Sequence, residues 1–223
     1  DYACLWRLVR TGNLGFAEGY LAQEWDTPDL TALLEVFARN ADHMRELYEG
    51  KWWAKLANSA LHFFNRNTRA GARRNIYAHY DLGNAFYERW LDPGMTYSSA
   101  KFDKPGETLT EAQRNKYASL ARCIDLRPEH RLLEIGCGWG GFAEFAAKEI
   151  GCSVTGITIS REQHDFARAR LARAGLADKA EIRLEDYRDT QGTFDRIASI
   201  EMFEAVGEEY WPAYFDKIRS LLT

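Results

Sequence analysis

Apolar and polar positions divide the chain into three stretches of different character. Over residues 1–40 the pattern is helical. Leu30, Leu33, Leu34 and Phe37 keep the i, i+3, i+4, i+7 spacing of one buried helix face. Thr27 followed by Pro28 predicts the start of that helix, and Asn40 its stop. From about residue 108 helical and strand patterns alternate. Thr110 and Gln113 have capping-box spacing and predict a helix through about Cys123. Arg131–Ile135 reads as a buried strand, and Gly141–Ile150 as a helix stopped by Gly151. Ser153–Ile159 is the next strand. Ser160 and Gln163 form a second capping-box pattern, opening a helix that runs to Ala174 and stops at Gly175. Ala180–Leu184 and Phe194–Ile200 add two strands, and Glu209–Leu222 is helical. Strands alternating with single helices imply right-handed crossovers and a parallel sheet.

The middle stretch, 51–80, breaks both patterns. Lys51, Lys55, Arg66, Arg69, Arg73 and Arg74 occur there with no Asp or Glu, whereas the whole chain carries a formal charge of −4. Trp52, Trp53, Phe63 and Phe64 are interleaved with these bases. Cations beside large aromatic rings suit the boundary between lipid headgroups and acyl chains. The same composition suits a basic linker whose rings pack on the next domain, so both readings stand. Nucleic acid is disfavoured, since the chain is acidic overall and no nucleic-acid motif accompanies the patch. The predicted organisation is therefore a helical region (1–50), a basic aromatic segment (51–80) and an α/β domain (81–223). No apolar run approaches the ~20 residues that span a bilayer. Cys4, Cys123, Cys137 and Cys152 show no paired metal-site spacing and suit a reducing cytoplasm. Both ends lie in helix-like sequence, which predicts a piece of a longer protein.

The chemistry centres on LLEIGCGWGGF, residues 132–142. Gly136, Gly138 and Gly141 satisfy G-x-G-x-x-G between a predicted strand and a predicted helix, the setting in which such a loop holds a nucleotide-like cofactor. A tight turn without a ligand is the plainer reading. NAD and S-adenosylmethionine both use such loops, and the flanks separate them. A dinucleotide site places an acid about twenty residues on, for the ribose. Thr158, Ile159 and Ser160 stand there instead. Glu134 lies two residues before the first glycine, late in an apolar strand, where a carboxylate needs a cation or donors. S-adenosylmethionine brings an ammonium and a sulfonium, whereas NAD brings a pyrophosphate that an acid repels. A Glu134 that only caps nearby backbone amides is the structural alternative.

Five stretches carry a wider resemblance: HYDLGNAFYERWLDPGMTYSSAKF (79–102), LLEIGCGWGGFA (132–143), VTGITISREQ (154–163), EDYRD (185–189) and SIEMFEAVGEEYW (199–211). Together with NLGFAEGYLAQEWDTPDL (13–30) they resemble the cyclopropane-fatty-acyl-phospholipid synthases and the related mycolic acid methyltransferases. The resemblance implies a class I methyltransferase fold, a Rossmann-like parallel sheet preceded by a mainly helical region, with S-adenosyl-L-methionine as cofactor. Matched residue by residue, Tyr97 and Ser98 approach the amino-acid end of the cofactor, beside the loop Gly136, Cys137, Gly138, Trp139 and Gly140 and the acid Glu134. Thr158, Ile159 and Gln163 bound the ribose and adenine in place of the usual acid. Tyr187 lies against the adenine, and Ile200 completes the set.

The implied substrate is the double bond of an unsaturated phospholipid acyl chain. The implied partners are an anionic membrane surface, met peripherally from the cytoplasm, and a second copy of the chain. A carbocation formed on the acyl chain must be shielded from water. Phe86, Tyr87, Tyr97, Phe102 and Phe203 are candidates for the aromatic faces that do so. Closing a ring then requires loss of a proton, which the resemblance assigns to a bound bicarbonate held by Glu204 and Ser99. Two residues depart from the common pattern: Ser99 stands where many members have Cys, and Ala205 where many have His. Serine still hydrogen-bonds an anion. The missing histidine leaves open a methyl- or methylene-branched product in place of a ring. A small soluble acceptor, or a non-catalytic lipid- or cofactor-binding subunit, are the rival functions. The implied fold has seven strands against the four found, so the last strand is expected to carry an unpaired edge.

Overall fold

The computed structural model describes residues 2–41 and 83–223; the basic aromatic segment 51–80 lies outside the described residues. The chain divides into two compact units, Asp1–Phe64 and Asn65–Thr223.

In the first unit, α1 (Ala3–Thr11) and α2 (Asn13–Leu21) turn about Gly12, and α3 (Leu30–Arg39) follows. The start of α3 differs from the expectation. Asp29 is the N-cap, its carboxylate accepting from the Ala32 amide at 2.9 Å. Thr27 instead bonds the Asp29 backbone, because a short acid two residues nearer the helix reaches the orphan amides better. Asn40 is the C-cap, as expected. The Leu30–Phe37 face is not a buried one: Leu34 is exposed and Leu30, Leu33 and Phe37 are partly covered. What packs there is aromatic. Phe16 stacks on Trp25 at 4.1 Å and meets Phe37 edge-on at 5.0 Å, while the Trp25 indole N–H donates to the Phe16 carbonyl.

The second unit begins with a short helix, α4 (Asn84–Tyr87), and then α5 (Leu109–Cys123). The capping box of α5 is one half-turn earlier than expected. Thr108 accepts from the Glu111 amide, and the Glu111 carboxylate accepts from the Thr108 amide at 2.8 Å. Gln113 is buried and used elsewhere, which is why its spacing from Thr110 misleads.

Beyond α5 come β1 (Arg131–Ile135), α6 (Gly141–Phe145) running into a π-turn (Ala146–Ile150), β2 (Ser153–Thr158) and α7 (Arg161–Arg173). Then follow β3 (Ala180–Leu184), β4 (Arg196–Ser199), 3₁₀ turns at Phe203–Ala205 and Glu208–Tyr210, and α8 (Trp211–Leu221). The four strands are parallel in the order β3-β2-β1-β4. The chain thus winds outward from β1 through β2 to β3 and then crosses to the other side of β1.

Both faces of the sheet are covered, as a parallel sheet requires. Leu132, Val154, Ile182 and Ala198 pack with Tyr117 and Ala121 of α5, Phe142 of α6 and Leu171 of α7. Leu133, Ile135 and Ile157 pack on the opposite face with Leu221 of α8. The last strand is shorter than expected. Phe194 stands outside it and makes a parallel bridge to Leu222, donating to the Leu221 carbonyl at 2.7 Å. Among the described residues, β4 has a ladder partner on one side only.

Candidate active site

A cavity of about 280 Å³ opens over the carboxyl ends of β1, β2 and β4. Its floor includes Ile135 and Gly136 after β1, Thr158 and Ile159 after β2, and Ile200 and Met202 after β4. This is where the strand order reverses, the place where open α/β sheets receive ligands, because the connections on either side leave in opposite directions.

The glycine loop follows from local sterics. Gly136 has φ +77°, and a Cβ there would stand 2.8 Å from Met202 Cγ. Gly140, at φ +81°, is the left-handed N-cap of α6, and its Cβ would meet Ala167 of α7 at 3.0 Å. Close packing onto α7 is therefore the work of Gly140. Gly141 instead lies against the Tyr117 hydroxyl of α5. The Gly136 and Cys137 amides both donate to the Ile157 carbonyl at 3.0 Å, tying the loop to β2.

Glu134 is the buried charge of the sheet. It lies in register with Gly156 and Ala198, small residues that leave space on either side. It takes a hydrogen bond from the Ala143 amide in the first turn of α6, yet its Oε2 is buried without a partner. Burial pushes its carboxyl up to about 8, against the Ala143 hydrogen bond and the attraction of Arg170.

The ribose position is built from uncharged groups. The Thr158 hydroxyl donates to Gln163 Oε1 at 2.9 Å and accepts from the Ser160 amide. Ser160 caps α7, accepting from the Gln163 amide, but the Gln163 side chain turns to Thr158, so the second expected capping box is only half formed. Tyr187 flanks the cavity, edge-on to Tyr214 at 5.2 Å, and burial raises its phenol above the ordinary value. The remaining wall is acidic: Glu185, Asp186, Glu201 and Glu204 line it with a single guanidinium, Arg188, which forks onto Asp186 at 2.9 and 2.6 Å.

Tyr97 joins the lining from the Met95–Ser99 strip, an irregular segment held by side chains. Thr96 is bonded to Asp92 and to the Tyr117 hydroxyl. The Ser98 carbonyl accepts from Gln113 Nε2 at 2.8 Å, and the Ser98 hydroxyl accepts from Lys116. Burial pulls the Lys116 ammonium down to about 8, against the attraction of Glu201 and Asp92. The Ser99 amide donates to Glu201 Oε1 at 2.8 Å, and its hydroxyl donates to the same oxygen.

A family model described as mycolic acid cyclopropane synthetase matches residues 67–223. The chain belongs to that family. Tuberculostearic acid methyltransferase UfaA1 of Mycobacterium tuberculosis is 39% identical over 225 residues, 97% of this chain and 52% of its own. The cyclopropane-fatty-acyl-phospholipid synthase of Escherichia coli K12 is 36% identical over 209 residues, 94% and 53% of the two chains. The crystal structure of mycolic acid cyclopropane synthase CmaA1 with SAH and CTAB superposes with a TM-score of 0.64 at 35% identity, over 68% of this chain and 53% of that one. The chain spans about half the length of the curated relatives it matches. The fold is that of the class I S-adenosylmethionine-dependent methyltransferases.

Against this family background, the structure sorts the residues expected at the site. Tyr97, Gly136, Thr158, Ile159, Gln163, Tyr187, Ile200 and Glu204 line one cavity. Ser98, Ser99, Glu134, Cys137, Gly138, Trp139 and Gly140 do not. The side chains of Cys137 and Trp139 belong to the core. The Cys137 thiol is buried and pushed up by desolvation, and the Trp139 indole donates to Asn84 at 2.7 Å while packing on Tyr87. Only their backbone is placed at the loop. Of the five aromatic candidates, Tyr97 reaches the cavity. Tyr87 is buried against Trp139, Phe203 packs on Trp211 and Tyr214, and Phe86 and Phe102 are exposed. Ser99 meets Glu201 rather than Glu204. Glu201 also lines the cavity, and Lys116 and Gln113 hold the strip that carries Tyr97; the sequence pattern singles out none of the three. The available signal was Glu201 standing three residues before Glu204, both acids beyond one strand end.

Proposed function

We propose that the protein uses S-adenosylmethionine to alkylate the cis double bond of an unsaturated phospholipid acyl chain, giving a cyclopropane. The observation that carries the cofactor is the charge of the cavity. Four carboxylates and one already paired guanidinium face a ligand whose sulfonium and ammonium are cationic, and would repel a pyrophosphate. Gly136 and Gly138 serve the amino-acid end with Tyr97 and Ser98, Thr158, Ile159 and Gln163 the ribose, and Tyr187 the adenine. When bound, the cofactor supplies an electrophilic methyl group, leaving positive charge on the acyl chain. Tyr97 and Tyr210 line the cavity, and an aromatic ring beside that charge stabilises it by about 1–2 kcal/mol when desolvated.

The second reading, a methyl- or methylene-branched product, is favoured by Ala205, which lines the cavity without a titratable group. The relative at 39% identity is named a methyltransferase and the one at 36% a cyclopropane synthase, so both outcomes occur among similar proteins. The deciding experiment is mass spectrometry of lipids from cells expressing the full-length protein, followed by product NMR. A gain of one CH₂ unit on unsaturated phospholipid chains, with ring proton resonances, is expected. Branch-methyl or methylene resonances establish the second reading. Unaltered lipids, together with methylation of a soluble metabolite, overturn both.

A further inference from the structure

Glu201 is in an unfavourable place for its residue type. Its φ is +47°, the left-handed region that glycine occupies freely and a side chain occupies only at a cost. It lies two residues beyond β4, and its side chain crosses to a segment about a hundred residues earlier, where one oxygen takes both donors of Ser99. The carboxylate also forms part of the cavity wall. Lys116, bonded to the neighbouring Ser98 hydroxyl, is close enough to feel its charge. A strained backbone and two convergent donors fix the carboxylate of a cavity-lining residue, which is more than a latch for an irregular strip needs. The strip is already fixed at Thr96 and Ser98.

We propose that Glu201 is the proton acceptor of the reaction, a built-in carboxylate occupying the donors that would otherwise receive an anion from solution. The inference rests on the alkene alkylation proposed above. After transfer a C–H bond breaks, on the newly transferred methyl group for ring closure or on a carbon next to the cationic centre for the branched outcome. Its electron pair closes the third side of the ring, or forms a C=C bond in the branched outcome, and the proton goes to Glu201 and then to water. A C–H whose electron pair collapses onto a carbocation, either from the neighbouring carbon or across the three-membered ring, is far more acidic than any carboxylic acid, so an ordinary carboxylate is a sufficient base once positioned. Because both Ser99 donors are committed to Glu201, neither is available to a bicarbonate.

The test uses the full-length protein, unsaturated phospholipid vesicles and buffers stripped of carbon dioxide. The wild type is expected to be indifferent to added bicarbonate or formate. Glu201→Gln should lose at least about 100-fold in turnover, the scale of a general base, at concentrations where calorimetry shows the variant saturated with S-adenosylhomocysteine. Glu201→Gly relieves the backbone strain, so it should fold, lose turnover alike, and regain it when bicarbonate or formate is added. Independently of activity, ¹³C-bicarbonate should show line broadening with Glu201→Gly and none with the wild type. A wild type that stalls without bicarbonate, or that broadens its ¹³C signal, overturns the assignment. So does a Glu201→Gly variant fully active without any added anion. A wild type that binds the cofactor homologue but leaves alkenes untouched overturns the proposed function instead, and the ¹³C result still decides whether Glu201 fills an anion site.

Discussion

At the residue scale, Glu134 and Glu201 show how one residue type is turned to different uses by its surroundings. Glu134 sits between Gly156 and Ala198 with an orphaned oxygen, and desolvation dominates its titration. Its ordinary carboxyl value is 4.5 and its folded value about 8. The folded protein therefore keeps a proton that the unfolded chain has lost. The resulting stabilisation is complete below the unfolded value and disappears as pH rises through the folded one, at about 1.4 kcal/mol per pH unit. Glu134→Gln should remove that slope in the ligand-free protein. Urea midpoints at pH 5, 6.5 and 8 would show a variant increasingly more stable than the wild type towards pH 8; a constant difference would contradict it.

Helix starts carry the lesson at the scale of elements. Both ends of α5 were legible as a helix, but its cap was assigned two residues late. Thr110-x-x-Gln113 and Thr108-x-x-Glu111 are equivalent as strings. They differ because Gln113 is drawn inward to the Ser98 carbonyl, leaving Glu111 to reach back to Thr108. Thr108→Ala should cost about 1 kcal/mol of unfolding free energy by chemical denaturation, and Thr110→Ala less than about 0.5. The reverse order would restore the sequence-based assignment. The short β4 has a similar cause. Phe194 looks like its first residue, yet it pairs with Leu222 rather than extending the ladder to β1.

For the whole molecule the distribution of charge matters more than its total. The acidic cavity wall belongs to the unit Asn65–Thr223, whereas the six bases with no acid among them lie in 51–80, outside the described residues. We propose that this basic aromatic segment brings the protein to an anionic membrane surface. In sedimentation with phospholipid vesicles, binding should rise with anionic lipid content and fall as salt is added. Binding that ignores both would favour the linker reading. No helix among the described residues is long and apolar enough to cross a membrane.

The sequence by itself determined the order of strands and helices, the glycine loop between β1 and α6, and the lack of a ribose acid. These are local properties, set by periodicity, by backbone freedom at Gly136 and Gly140, and by residue type at Thr158. Family membership was legible too, because the motifs that carry it are contiguous. Only the tertiary structure decided which residues share the cavity. Cys137 follows the lining Gly136 and Trp139 stands three residues beyond it, yet both side chains are buried in the core, where Trp139 meets Asn84 from far away in sequence. Glu201 and Ser99 are 102 positions apart, and no periodicity relates them. Their pairing comes from a parallel sheet that delivers every strand end to the same edge, beside an irregular strip that Asp92, Gln113 and Lys116 hold in place.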